Sequence, residues 1–199
     1  MRLNTRSFII LISILLFVSC ATKTRVNHKN EDAYNIINNE LSFLTTSIEE
    51  GKVFLEKRFT DYLLWDFEDL EFTNDNYEYH FLTTFYSLSK EEFENIFNEV
   101  QINQYKKQVK RVKFIDSSKL SFENLTIINL EVKTHRVDFY NNKSLIVLSY
   151  PVFTKDKKYS LIRHYLGDFH RNSGNEVLSI YKKVNEKWVI FKRISLGIG

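Results

Sequence analysis

Between Glu31 and Ile48, apolar residues fall at Ala33, Ile36, Ile37, Leu41, Leu44 and Ile48. Gaps of three and four place them on one helical face. Asn30 stands where it can cap the start of such a helix, and Gly51 where it can end it. Lys52 to Glu71 is apolar and aromatic without a clean period, through Val53, Phe54, Leu55, Phe59, Leu63, Leu64 and Trp65, and reads as mixed. Asn74-Asp75-Asn76 is a turn signal, and Tyr77, Tyr79 and Phe81 then alternate with polar neighbours as on a half-buried strand. The pattern predicts a further helix from Ser89 to about Lys107. Ser89 and Glu92 have the spacing of a capping box, and Phe93, Ile96, Phe97 and Val100 follow at i, i+3, i+4 and i+7.

From about Leu120 the period changes to two. Ile128, Leu130 and Val132 alternate with polar residues, and Ser144 to Tyr150 forms a denser apolar run that ends at Pro151. Tyr159 to Tyr165 follows a Lys-Asp-Lys turn. Glu176 to Lys182 and Lys187 to Ile194 flank Asn185-Glu186 as the arms of a hairpin, with Trp188 on the second arm. Short strands joined by short turns make an antiparallel meander. Helices first and strands second predict an α+β domain, N-terminal helices followed by an antiparallel β-meander sheet, over residues 31–199.

The front of the chain follows a different pattern. Arg2 and Arg6 precede Phe8 to Val18, eleven residues that are apolar except for Ser13. As a helix this run reaches only ~16 Å at ~1.5 Å per residue, against a bilayer core of roughly 30 Å. It therefore has the length of a signal-peptide core rather than of a membrane span. Leu16-Phe17-Val18-Ser19-Cys20 resembles the lipobox of bacterial lipoproteins, in which small residues precede a cysteine that receives a diacylglyceryl group and becomes the new N-terminus. Ser19 and Val18 fit that pattern, and Phe17 stands where Leu is usual. Cys20 is the only cysteine, and lipidation gives an unpaired thiol in an exported chain a role. The resemblance implies a signal peptide over residues 1–19, and a lipidated Cys20 with a polar tether over residues 20–30 (Ala21 to Asn30 being ATKTRVNHKN). It also implies a site in the bacterial cell envelope, at the outer membrane or facing the periplasm. The alternatives are an ordinary signal peptide with a chance cysteine and an uncleaved anchor.

Charge narrows the class of partner. Removing residues 1–19 takes away two arginines and no acid, so 28 basic residues become 26 against 25 acidic, a net charge of +1. Such a balance argues against nucleic acid, whose binders carry a strongly basic face. Lys106 to Lys113 (KKQVKRVK) is a local basic stretch that reads as a solvated helix end. With 15% aromatic residues and 43% hydrophobic, the chain can build one real core and is not disordered.

The C-terminal half carries a second resemblance. A helix opens at Leu88-Ser89-Lys90-Glu91-Glu92, Tyr150-Pro151-Val152-Phe153-Thr154-Lys155-Asp156-Lys157-Lys158-Tyr159 follows, and Ile180-Tyr181-Lys182-Lys183-Val184-Asn185-Glu186-Lys187-Trp188 comes last. This order resembles small uncharacterised exported proteins and lipoproteins of the Bacteroidota over roughly residues 88–195. Some of those carry a Cys-Gly-rich loop before the last hairpin. Here the stretch from Gly167 to Gly174 has no cysteine. The resemblance implies a bacterial envelope setting and no activity.

Candidate chemistry is sparse. His164, Asp168, His170 and Arg171 form the best polar cluster, at the end of one strand and in the next loop, where a solvated loop is the ordinary reading. His and Asp suit acid–base work or a transition metal, but the H-x3-D-x-H spacing is not that of a zinc site. His135-Arg136-Val137-Asp138 is a second such group. No nucleophile motif, phosphate-binding loop or metal-ligand spacing occurs. Tyr77, Tyr79, His80, Phe81, Phe85 and Tyr86 could line a groove, although aromatic alternation more commonly packs a core. Two functions follow as expectations, with no cofactor in either. One is a lipid-anchored, non-catalytic module that binds an envelope protein or ligand. The other is an envelope hydrolase with a site near His164, Asp168 and His170.

Overall fold

The computed structural model describes residues 31–46, 48, 52–61, 63, 85, 87–109, 114–122, 125–129, 143–168 and 173–198. Helix α1 spans residues 31–46 and buries Ala33, Ile36, Ile37, Leu41 and Leu44, the stripe its spacing predicts. Strand β1, Lys52–Glu56, follows it directly. Its residues Val53 to Glu56 are all buried, which is why no period marks it. A strand covered on both faces has no polar side to alternate with.

The predicted single helix from Ser89 is two helices. Ser89 caps α2, Lys90–Phe97, through the full capping box: Glu92 N–H donates to Ser89 Oγ at 3.2 Å, and Ser89 N–H donates to the Glu92 carboxylate at 2.8 Å. Asn98 then turns extended, with φ −68° and ψ 162°, and its Oδ1 accepts from Gln101 N–H at 3.0 Å to start α3, Glu99–Val109. An Asn side chain competes well for the amides of a helix start. The break changes the phase of the apolar stripe. Val100, expected on the buried face, is 61% exposed, while Ile102, Tyr105 and Val109 are buried.

The remaining strands are β2 (Leu125–Ile128), β3 (Lys143–Leu148), β4 (Val152–Phe153), β5 (Tyr159–Asp168), β6 (Ser173–Val184) and β7 (Lys187–Ile198). The sheet order is β2-β1-β3-β5-β6-β7, with β4 also paired to β5. The α+β class holds, but the sheet is mixed rather than a pure antiparallel meander. β1 pairs in parallel with both β2 and β3, and only β3, β4, β5, β6 and β7 are joined in antiparallel fashion. The strand between the helices thus enters the middle of a sheet whose other members come later in the chain.

β3 and β4 lie along the same edge of β5, on either side of a break at Pro151. Ser149 bridges the break: its N–H donates to Arg163 O at 2.8 Å, and its Oγ accepts from Arg163 N–H at 2.8 Å. The α3 residue Gln108 completes β4 in the manner of a further strand. Its Nε2 donates to Phe153 O at 2.8 Å, and its Oε1 accepts from Phe153 N–H at 3.1 Å. Asn185 and Glu186 both have positive φ, 47° and 63°, as the two central residues of a type I′ hairpin turn require.

Side-chain alternation along the strands divides the core in two. Tyr159, Leu161, Leu178, Ile180 and Ile194 pack with Phe93, Ile96, Phe97, Ile102 and Tyr105 of α2 and α3. Phe85 joins them in a triangle of rings with Phe93 and Phe97, at centroid distances of 4.6–5.2 Å, so this member of the aromatic stretch packs the core. Leu55, Ile146, Leu148, Ile162, Tyr181 and Trp188 point the other way and pack against α1. The sheet is therefore covered by α1 on one face and by α2 and α3 on the other. Each fully buried Leu, Ile or Phe contributes about 1.5–3 kcal/mol. The predicted alternation at Tyr77, Tyr79 and Phe81 and the His135–Asp138 group lie outside the described residues.

Candidate functional site

The stripe that docks α1 on the sheet contains one charged residue. Glu40 sits between Ile36 and Ile37 on one side and Leu41 and Leu44 on the other, and it is fully buried. Its carboxylate meets side chains from three strands. His164 on β5 brings Nδ1 to 2.7 Å from Oε1, and Ser179 on β6 donates Oγ–H to the same oxygen at 2.8 Å. Tyr181, also on β6, donates its OH to Oε2 at 2.5 Å, and Arg193 on β7 holds Nη2 at 3.7 Å from Oε2. The Arg193 guanidinium also lies 3.6 Å from the centre of the Phe43 ring on α1.

The His164 contact is as short as a charge-assisted hydrogen bond, but the oxygen lies off the direction of the ring N–H. It is a close polar contact rather than an aligned hydrogen bond. Burial alone would push the Glu40 carboxyl up. The proximity and charge of His164, with the hydroxyls of Tyr181 and Ser179, outweigh it and hold the carboxyl below its ordinary value. The reciprocal effect falls on Tyr181, whose phenol is raised first by burial and then by the Glu40 charge.

His164 lies within β5, on the strand expected from Tyr159 to Tyr165, and is 2% exposed rather than solvated. β5 runs on to Asp168, which pairs with Ser144 and Ser173 through the backbone. His164 shares the inward face of β5 with Ile162, one strand repeat away, so its ring must enter the core. His170, Arg171 and Cys20 lie outside the described residues. Glu40 had one sequence signal, a carboxylate on the apolar face of a helix. Its partners had none, because they come from distant strands.

A second feature lies at the far end of β5 and β6. Gly167 and Gly174 are paired across the two strands, and the Tyr165 ring lies over both. A Cβ on Gly167 would come within 2.1 Å of the Tyr165 hydroxyl and one on Gly174 within 2.0 Å of its ring, so the ring would have to shift to admit either. Beside it, the Arg163 guanidinium forms a tight ion pair with Glu176.

The chemistry open to the Glu40 cluster is limited by its closure. A carboxylate beside an imidazole can exchange a proton, but a general acid or base must reach a substrate atom. Here four side chains fill the carboxylate and apolar residues fill the surroundings. Among the described residues no group of three His, Cys, Asp or Glu side chains could hold a metal ion, and no helix is long and apolar enough to cross a membrane. Compared with known protein families, with curated proteins and with solved structures, the chain matches none.

Proposed function

We propose that this chain is a lipid-anchored protein of the bacterial cell envelope whose folded domain binds a partner or ligand rather than transforming one. The observation that carries the non-catalytic half is the burial of the Glu40–His164 pair. The one acid–base pair that the described residues assemble is spent on fastening α1 to the sheet. The anchor half is supported by the sequence from Arg2 to Cys20: a basic start, a short apolar run, and a lone cysteine after Val18-Ser19. Two or more acyl chains, at ~0.8 kcal/mol per buried methylene, make such an anchor stable where a single chain is marginal.

The two halves are tested separately. Cys20→Ala is expected to abolish acyl labelling and leave an unprocessed precursor. Normal cleavage and release of that variant would mean an ordinary signal peptide. The purified protein is expected to show no turnover against peptides, glycans or esters and to hold no stoichiometric metal. Hydrolysis lost on changing both His164 and His170 to Ala, in a protein that still melts cooperatively, would establish the hydrolase instead.

A further inference from the structure

Three strands share one end of the sheet. Tyr159, at the start of β5, pairs with Lys182 near the end of β6, and Val184 pairs with Lys187 at the start of β7. Two turns close that end, the exposed run from Lys155 to Lys158 and the turn at Asn185-Glu186. Lys183 N–H donates to Lys158 O at 2.9 Å, which holds the turns side by side. The first turn of α1 comes to the same place. Asp32 accepts from Trp188 Nε1 at 2.9 Å and lies 3.6 Å from Lys183 Nζ.

Charge at this end is uneven. Lys155, Lys157, Lys158, Lys182, Lys183 and Lys187 share it with five acids, Glu31, Asp32, Asp156, Glu186 and, beside Lys182, Glu92 of α2. Asp156 is engaged by Thr154 and Lys158, and Glu186 by Lys183. Lys155, Lys157 and Lys187 are exposed and have no carboxylate partner among the described residues. Val184 and Val189, each 44% exposed, stand on the same hairpin. Apolar side chains set among unpaired lysines suit a layer with anionic headgroups outside and acyl chains beneath.

Chain length decides which occupant reaches this face. From Cys20 to the first residue of α1, even a fully extended backbone spans at most roughly 40 Å at ~3.3–3.6 Å per residue. A chain lipidated at Cys20 therefore keeps the first turn of α1, and this end of the sheet with it, within that reach of the bilayer. We infer that the lysine-rich end of the sheet, with Val184 and Val189, is the face by which the domain lies against an anionic phospholipid surface. The inference rests on the lipidation proposed for Cys20.

The test uses the full chain, processed in a bacterial host and reconstituted into vesicles. Val184→Cys carries an environment-sensitive fluorophore, and Asn175→Cys, exposed at the opposite end of β6, is the control. With phosphatidylcholine and phosphatidylglycerol at about 3:1, where each nearby lysine favours the anionic surface about fivefold, emission at 184 is expected to shift to the blue. It is also expected to escape quenching by aqueous iodide, while the label at 175 does neither. The effect should vanish in phosphatidylcholine alone and in the triple variant Lys155→Glu, Lys157→Glu, Lys187→Glu, whose melting should match the parent because all three side chains are exposed. Equal behaviour at 184 and 175, or a shift indifferent to vesicle and protein charge, would overturn the inference. An acidic protein as the true partner would give the first of these results. Mass spectrometry of the intact chain reads the acyl group on Cys20 separately. If that group is absent, the anchor fails, and the same labels in a Cys20→Ala background still decide whether this face meets the surface.

Discussion

The Glu40 carboxylate of α1 and the His164 imidazole of β5 meet at 2.7 Å with both residues withdrawn from water. Removing one partner of a buried pair leaves the other uncompensated, at a cost of about 3–5 kcal/mol. Glu40→Ala and His164→Ala are each expected to fall in that range in urea unfolding. The double variant should cost less than the sum of the two by about 0.5–3 kcal/mol, since the pair is coupled. Strict additivity would show that the contact does not fasten the helix.

The same pair sets an acid limit. Glu40 is held below its ordinary value of 4.5 in the folded protein, so the unfolded chain binds its proton more readily. The stabilisation is complete above that value and is lost as pH falls through the lower, folded one. Stability measured from neutral pH downward should decline below about 4.5, and Glu40→Gln should flatten the decline.

An alkaline limit follows from the phenols. Burial pushes Tyr150 up to about 12 and raises Tyr105 and Tyr181 as well. A phenol raised in the folded state stabilises it fully below the unfolded value of 10.0, and that contribution is lost as pH rises toward the folded value. Ultraviolet titration should show a group of tyrosines that ionise only above the others, together with a loss of stability beginning near pH 10.

Trp188 is 6% exposed, packs on the α1 face of the sheet, and donates Nε1–H to Asp32. Trp188→Ala should cost about 3–5 kcal/mol. Trp188→Phe keeps most of the packing and loses the hydrogen bond, a loss of about 1 kcal/mol together with a smaller packing term. A Trp188→Ala protein that melts like the parent would remove the indole from the core.

Gly167→Ala or Gly174→Ala would drive a methyl group into the Tyr165 ring. Forced repacking of this kind costs about 1–3 kcal/mol. Tyr165→Ala in the same chain should recover part of that loss, and failure to recover it would place the strain in the backbone instead.

Local pattern made some of this visible in the sequence and hid the rest. The stripe of α1, the capping box at Ser89 and the hairpin at Asn185-Glu186 are written in neighbouring residues, and each stands where the spacing puts it. Val53 to Glu56 has no period because the strand is covered on both sides, so its parallel place between β2 and β3 left no mark. Asn98 sits within an otherwise helical spacing, and only its own capping of Gln101 separates two helices from one. The candidate site was half visible. His164 drew attention as a polar residue, but the reason it matters is Glu40, and their meeting depends on the sheet order rather than on any local spacing.

That sheet order has a consequence for how the protein is made. The bond from Trp188 to Asp32 joins residues 156 apart, and those from Ser179 and Tyr181 to Glu40 join residues 139 and 141 apart. Among the described elements α1 leaves the ribosome before every strand it packs on, and β6 and β7, which complete its seat, come after all the others. Until the final hairpin exists, the helix can meet Leu55, Ile146, Leu148, Ile162 and His164 but lacks Ser179, Tyr181 and Trp188, which complete its seat. Contacts of such long sequence separation are formed slowly, and uncovered apolar faces in unfinished chains attract chaperones and other unfinished chains. A chain cut short before Trp188 should therefore aggregate or be degraded rather than persist as a smaller domain, since a helix made early is among the last elements to have its contacts completed.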